Sequence, residues 1–317
     1  MTRRTGADGT GRGNPARRPV VDRSMTIMRA ARPATALALV LALTACAERG
    51  GTASPGDPAA PSSVAAPEEG LVLQVEHTGG FVTPMMLAAR LPIVSVYADG
   101  RVITEGPVPA IYPGPALPNL QVAEIEPGQV TDVVDRALAA GVDETGDLGS
   151  PPIADVPSTR FTLVTASDTY VREVYALGAS SDLPGPAGPP DTGITPEQAA
   201  AREELSDFLA SVTDLGRATE AYEPEAVAAV VSPWVDPGDD LPQPELPWPG
   251  PDLPGEPVGG LGDVSCVTAT GDRAQTLLAA ARDANATTPW VTDDGRRWSV
   301  TFRPLLPGES GCADLTD

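Results

Sequence analysis

The sequence predicts an α+β fold in which antiparallel sheets have helices packed on one face. Segments in which apolar and polar residues alternate, a pattern typical of half-buried strands, recur along the chain from residue 70 onward. Several of these segments are joined by short turns, which connect antiparallel neighbours. Only three later segments have the apolar period of 3.6 residues that indicates a helix.

The first strands are predicted around two glycine-containing breaks. Leu71 to Glu76 alternates and is expected to end before Gly79-Gly80. Residues 93–97 and 101–104 flank Asp99-Gly100, and this dipeptide between apolar runs is a strong hairpin signal. The following residues, 106–118, are rich in proline but also carry Ile111 and Tyr112, so an ordered, irregular arm is expected.

Three helices are predicted from apolar stripes and capping residues. The first lies at 129–140, with Val130, Val133 and Val134 on one face. The second follows Thr195, which forms a capping box with Gln198. Asp272 is expected to cap the third, whose buried face includes Leu277.

Further strands are expected between and after these helices. Hairpins are predicted at 160–177, around Ser167-Asp168, and at 290–302, around Asp294-Gly295. Residues 225–231 are apolar enough for a buried strand. The order strand–helix–hairpin fits both 120–177 and the end of the chain, so the fold is expected to contain either one α+β domain or two related units.

These expectations give a five-part organisation. Residues 233–257 are dense in proline and are interpreted as a linker or a surface strap held by Trp234 and Trp248, which are more easily explained as anchors than as a ligand platform. The five parts are a signal peptide (1–45), a lipidated cysteine with a flexible tether (46–69), an α+β domain (70–232), the proline-rich strap (233–257) and a small disulfide-stapled α+β module (258–317).

The first part carries an export signal. Arg29 and Arg32 precede a short apolar run at 34–42, which is too short to span a membrane. Leu43-Thr44-Ala45-Cys46 then resembles the lipobox of bacterial lipoproteins. The resemblance implies that Cys46 is diacylated and becomes the new N-terminus, which would anchor the protein to the outer face of the cell membrane. The alternative is an ordinary signal peptide with a chance cysteine; Met25 or Met28 is a candidate for the true start.

The mature part also resembles uncharacterised secreted lipoproteins of actinobacteria. The segments that carry this resemblance are 79–84, 97–103, 111–118 and 303–309. It implies the protein class and the compartment but no activity, so it supplies no catalytic residues.

Composition excludes several functions. With 43 acidic and 21 basic residues the formal net charge is −22, which argues against a nucleic-acid partner. Every basic residue other than His77 is arginine, so Schiff-base and pyridoxal phosphate chemistry are excluded. With Cys46 assigned to lipid, Cys266 and Cys312 are expected to form a structural disulfide in an oxidising compartment.

No catalytic, cofactor-binding or metal-binding residue is predicted. His77 is the only histidine, it lies in an exposed position, and no G-x-S-x-G motif is present. The acidic groups at 236–240 and 293–294 lack EF-hand spacing and are interpreted as solvated turns. Paired carboxylates could serve a glycosidase, but a chain this acidic always contains such pairs.

The function that best fits these features is a membrane-anchored, non-enzymatic lipoprotein that binds an envelope protein partner. The first alternative is a lipoprotein that binds a small molecule or a lipid, which requires a pocket. The second alternative is a hydrolase, which requires a cleft that gathers His77 with buried carboxylates.

Overall fold

The computed structural model describes residues 64–178, 193–216 and 220–315. The predicted signal peptide, Cys46 and most of the tether lie outside the described residues. The described residues belong to one compact unit. The end of the predicted tether packs on this unit, since Ala65 O accepts a hydrogen bond from Ala166 N. No helix in the described ranges is both long enough and apolar enough to cross a membrane.

The first sheet has seven antiparallel strands in the order β6-β5-β1-β2-β3-β4-β7. The hairpin predicted around Asp99-Gly100 is confirmed as β2–β3, and Gly100 has the positive φ of 90° that such a turn requires. The hairpin around Ser167-Asp168 is confirmed as β5–β6. The strands are β1 (Leu71–Thr78), β2 (Val94–Tyr97), β3 (Arg101–Glu105), β4 (Leu120–Glu124), β5 (Ser158–Val164), β6 (Thr169–Tyr175) and β7 (Glu220–Ala221).

Two helices cover one face of this sheet, as the predicted α+β class requires. They are α2 (Pro127–Ala139) and α3 (Pro196–Thr213), and a short helix α1 (Pro84–Ala88) precedes them. The buried stripe of α2 and the aromatic ring of Phe208 in α3 belong to one apolar cluster with Leu73 and Phe161. Thr195 and Gln198 form the predicted capping box at the start of α3.

The second sheet has six strands in the order β10-β11-β8-β13-β12-β9. All pairs are antiparallel except β9 with β12. Its helix, α4 (Gly271–Arg282), follows β11 directly. The strands are β8 (Ala226–Pro233), β9 (Leu246–Pro247), β10 (Glu256–Pro257), β11 (Ser265–Thr270), β12 (Trp290–Val291) and β13 (Arg297–Pro304). Two 3₁₀ turns, at Asp214–Gly216 and Cys312–Leu315, complete the described elements.

The sequence interpretation of the third helix needs one correction. The N-cap of α4 is Thr270, not Asp272, which lies in the first turn. A carboxylate in the first turn still interacts favourably with the helix dipole.

The second sheet begins before the predicted strap. Nearly all of β8 lies in the range 70–232 that the sequence predicts as the first domain, yet β8 pairs with both β11 and β13. The strap supplies the two edge strands β9 and β10, where proline costs no ladder hydrogen bond. Trp248 anchors the strap, because its ring packs edge-on against Trp290 and its indole N–H donates to Pro251 O.

The predicted order of strand, helix and hairpin occurs twice, but the strand pairing differs. In the first sheet, three strands separate β4 from β5, whereas in the second only β8 lies between β11 and β13. Cys266 of β11 is bonded to Cys312, as expected, at a sequence separation of 46.

The two sheets are joined by side chains from the last part of the chain. Leu306 packs against Tyr97 and Ile103 on the face of the first sheet that carries no helix. Tyr222 donates a hydrogen bond from its hydroxyl to Leu305 O. On the second sheet, Ala88 of α1 packs against Val230.

Candidate functional site

A cleft of about 780 Å³ lies between the first sheet and the last part of the chain. Its floor is the helix-free face of the first sheet, which presents Gln74 and Glu76 of β1 and Arg160 and Thr162 of β5. These side chains share a face because residues two apart in a strand point to the same side. The roof is formed by residues 303–309 and 314–315 together with the loop at 259–261.

Three charged side chains cross the floor in a row. Glu76, Arg160 and Glu173 are direct neighbours in the register of β1, β5 and β6. Arg160 Nη1 lies 3.6 Å from Glu76 Oε1, and Arg160 Nη2 lies 3.5 Å from Glu173 Oε2. Glu173 also accepts a hydrogen bond of 3.0 Å from the Thr78 hydroxyl. One guanidinium therefore serves two carboxylates.

Glu76 is the least satisfied of these groups. Burial raises the pKa of its carboxyl, and the nearby positive charges of Arg160, Arg303 and Arg90 only partly oppose this effect. No donor in the described part of the chain forms a hydrogen bond with its carboxylate oxygens, since Arg160 stays at 3.6 Å. A half-buried carboxylate with a raised pKa in a cleft is a candidate for ligand contact.

The roof of the cleft is held by a closed ion pair. Arg303 Nη1 and Nη2 donate to Glu309 Oε2 and Oε1 at 3.0 Å and 2.7 Å. Glu309 Oε2 also accepts from Leu306 N at 2.6 Å, and Arg303 Nε donates to Arg90 O. The pair is buried, with 4% of the Arg303 side chain exposed. Its donors and acceptors are used inside the protein, so it shapes the cleft rather than offering charge to a ligand.

Arg90 lines the cleft from the segment that carries α1. Its Nη1 donates to His77 O at 3.0 Å and to Gly79 O at 2.9 Å. Across the described ranges, no carboxylate lies within 4.0 Å of this guanidinium. Among the described residues, Arg90 therefore carries a positive charge without an acidic partner.

A second cavity, an apolar groove of about 930 Å³, lies on the other side of Arg90. Met86 and Ile93 line one wall, Val108 and Leu117 of the proline-rich arm line the other, and Phe302 contributes from the second sheet. Met86 and Val108 are 58% and 55% exposed. Single exposed apolar residues are ordinary, but several around one groove are typical of a binding surface.

The arm that forms this wall is ordered and irregular, as predicted. The Tyr112 hydroxyl donates to Asp239 Oδ2 at 2.7 Å, and Ala116 N donates to Ala284 O. These contacts fix the arm to the strap and to the loop after α4.

His77 borders both cavities and is exposed, as expected from sequence. Although the residue as a whole is exposed, partial desolvation of its ring lowers the pKa of His77, and the charge of Arg90 lowers it further, while a hydrogen bond with the backbone of Ser158 acts in the opposite direction. In the described part of the chain, no hydrogen bond joins the imidazole to a carboxylate or hydroxyl side chain. His77 and Glu76 are adjacent in β1, so their side chains point to opposite faces.

The remaining positions singled out from the sequence are Cys46 and the two acidic groups. Cys46 lies outside the described residues. The acidic groups at 236–240 and 293–294 form turns, in which Asp239 accepts from Leu241 N and Asp294 accepts from the Thr292 hydroxyl. The bond from Thr292, with those from Arg296, lowers the pKa of Asp294 to about 2. Within the described ranges, no three His, Cys, Asp or Glu side chains are grouped to hold a metal ion.

Sequence reasoning did not find the charged floor of the cleft. Part of its signal was present: a turn at Ser167-Asp168 places Arg160 opposite Glu173 in the hairpin. The pairing of β1 with β5 joins residues 80 to 90 positions apart, and no local pattern reveals it. The same long-range pairing adds Glu76 to the row.

Comparisons of this chain with protein-family models, with curated protein sequences and with solved structures gave no match.

Proposed function

We propose that this chain is a lipid-anchored exported binding protein whose cleft takes a small polar ligand. The Leu43-Thr44-Ala45-Cys46 motif supports the anchor. The observation that carries the binding role is the cleft itself, which lies between the first sheet and the last part of the chain and contains Glu76, for which the described residues supply no hydrogen-bond donor. Its volume is within the range of small-molecule sites, roughly 300–1,000 Å³. The mixed polar lining favours a polar ligand over a lipid.

The anchor is tested by mass spectrometry of the mature N-terminus from the native host. The expected result is a peptide that begins at Cys46 and carries acyl chains, and a Cys46→Ser variant that leaves the membrane fraction. An unmodified N-terminal peptide from membrane-bound protein would overturn the anchor.

The binding role is tested with a variant that fills the cleft. Thr162 lies on the floor opposite Gln74 and Val171, so Thr162→Trp would place a large ring in the cleft. Thr276→Trp, on the exposed face of α4, is the matched control. Native mass spectrometry of the protein purified from its host should detect a small adduct on wild type and control, but not on Thr162→Trp. The role is rejected if wild type carries no adduct and no compound in a polar metabolite library raises its melting temperature.

The apolar groove favours a second candidate function, the binding of an envelope protein partner. Its walls are aliphatic and proline-rich, which suits an extended apolar segment of that partner. A photocrosslinker at Met86 and one at Val108 should label the same protein, and one at Val235, which is 76% exposed and outside the groove, should not. Equal labelling from Val235 would reject this candidate.

A further inference from the structure

The ionic groups of the cleft fall into two sets. In the closed set, the charged groups satisfy one another or the backbone by hydrogen bonds; in the open set, a charged group keeps a donor or acceptor without an ionic partner. Arg303 and Glu309 satisfy each other. Asp314 caps a turn, with its Oδ2 accepting from Ser310 N and Gly311 N. Neither of these closed groups needs a ligand. The groups left open are the row of Glu76, Arg160 and Glu173 on the floor, and Arg90 on the wall.

The open groups on the floor comprise two carboxylates and one guanidinium, so they carry one negative charge in excess. Arg160 is shared between Glu76 and Glu173, and neither of its contacts is shorter than 3.5 Å. Glu173 has a further donor in the Thr78 hydroxyl, whereas Glu76 has none among the described side chains. The Glu76 side chain is 29% exposed, so its carboxylate faces the space of the cleft, where a cationic N–H donor from a ligand could form a charge-assisted hydrogen bond with it. Partial burial raises the pKa of this carboxyl, and a cationic donor would oppose that shift.

The open group on the wall has the opposite charge. Arg90 uses Nη1 for two backbone carbonyls, and these hold its guanidinium in place. Its remaining N–H groups have no carboxylate partner in the part of the chain that the structure describes. A fixed guanidinium with free donors suits a carboxylate.

We propose that the cleft binds a small zwitterion with a free ammonium and a free carboxylate, such as an amino acid or a short peptide, with the ammonium at Glu76 and the carboxylate at Arg90. This inference rests on the proposed binding function and names its ligand class. Such a ligand has no net charge, as do the open groups of the cleft taken together, and it would give each unpaired group an ionic hydrogen bond.

The test uses the full-length protein in detergent, dialysed free of any co-purified ligand, and a library of amino acids and dipeptides with free termini. Isothermal titration calorimetry identifies the tightest binder. Its N-acetylated and C-amidated forms then remove one charge at a time. We expect each modification to weaken binding by about tenfold or more, since a charge-assisted hydrogen bond contributes about 1.5–3 kcal/mol.

Two variants assign the charges to their residues. In Glu76→Gln, acetylation of the ligand should no longer matter, while amidation should still weaken binding. In Arg90→Gln the reverse is expected. Arg90 also holds the backbone at 77–79, so the Arg90→Gln variant could fail to fold. In that case the test is the binding of the N-acetylated and C-amidated ligands to wild-type protein.

The outcomes separate this inference from the proposed function. If other polar compounds bind and no free-termini ligand does, or if blocked and free forms bind equally, the zwitterion is rejected while the binding function stands. If no small compound binds in the cleft, both are rejected.

Discussion

Burial decides what each ion pair of this protein contributes to the free energy of unfolding. Arg303 and Glu309 are almost enclosed, whereas Arg297 and Glu245 pair at 2.5 Å with about half of each side chain exposed. A buried pair is costly to break because the remaining charge has no solvent, but an exposed pair is replaced by water.

The first prediction compares these two pairs. Glu309→Ala should lower the free energy of unfolding by about 3–5 kcal/mol, because it leaves Arg303 buried without a counter-ion. Glu245→Ala, the matched control, should change it by less than about 1 kcal/mol. Urea denaturation at neutral pH measures both. Similar losses for the two variants would show that the roof of the cleft is more hydrated than the structure indicates.

The second prediction concerns Glu76 and pH. Its pKa is raised in the folded protein, so the folded state binds this proton more readily than the unfolded chain does. The stability contribution is therefore present below the unfolded pKa and is lost as pH rises through the folded pKa. Around the carboxylate, Arg160, Arg303 and Arg90 oppose the shift, and Glu309 adds to it.

Glu76→Gln should consequently raise the free energy of unfolding at neutral pH. This gain should shrink as the pH falls toward the pKa of an ordinary carboxyl group. Denaturation of both proteins over a pH series measures the difference. A variant that is less stable than wild type at pH 7 would mean that attraction to Arg160 outweighs burial.

Secondary-structure elements differ in how far the sequence determines them. Local chemistry is sufficient for the β2–β3 hairpin at Asp99-Gly100 and for the start of α3 at Thr195, because turns and caps involve residues within four positions. It is insufficient for β9 and β10, which consist of Leu246–Pro247 and Glu256–Pro257 and pair only because an edge is available beside them. The helix-free face of the first sheet likewise becomes a cleft only after the chain end packs over it.

The third prediction concerns the disulfide that joins β11 to the last 3₁₀ turn. Replacing Cys266 and Cys312 by alanine should lower the free energy of unfolding by roughly 4 kcal/mol, the value that loop entropy gives for a sequence separation of 46. Leu315 lies in the same 3₁₀ turn as Cys312 and lines the cleft. Without the disulfide, the chain after residue 306 should leave its place over the cleft more often, so proteases should cleave it faster. Reductant should destabilise wild type and leave the double variant unchanged; a variant as stable as wild type would contradict the prediction.

The folded unit as a whole is held together by a few contacts between its sheets. Leu306 is 4% exposed and packs on the first sheet, although it follows β13 of the second. The Tyr222 hydroxyl binds Leu305 O beside it. If these contacts couple the sheets, the described residues should unfold in a single cooperative transition.

The tryptophans make this coupling measurable. All four, Trp234, Trp248, Trp290 and Trp298, lie in the second sheet or its strap, so their fluorescence reports on that half, while far-UV circular dichroism reports on both sheets. We expect the two signals to coincide during urea denaturation.

Leu306→Ala should shift both signals by the same amount and lower the free energy of unfolding by about 2–5 kcal/mol, because it opens a cavity between the sheets. Leu241→Ala, at a strap position that is 47% exposed, is the control and should shift neither signal appreciably. Separate transitions in wild type would instead identify two independently stable sheets, and the cleft between them would then open without either sheet unfolding.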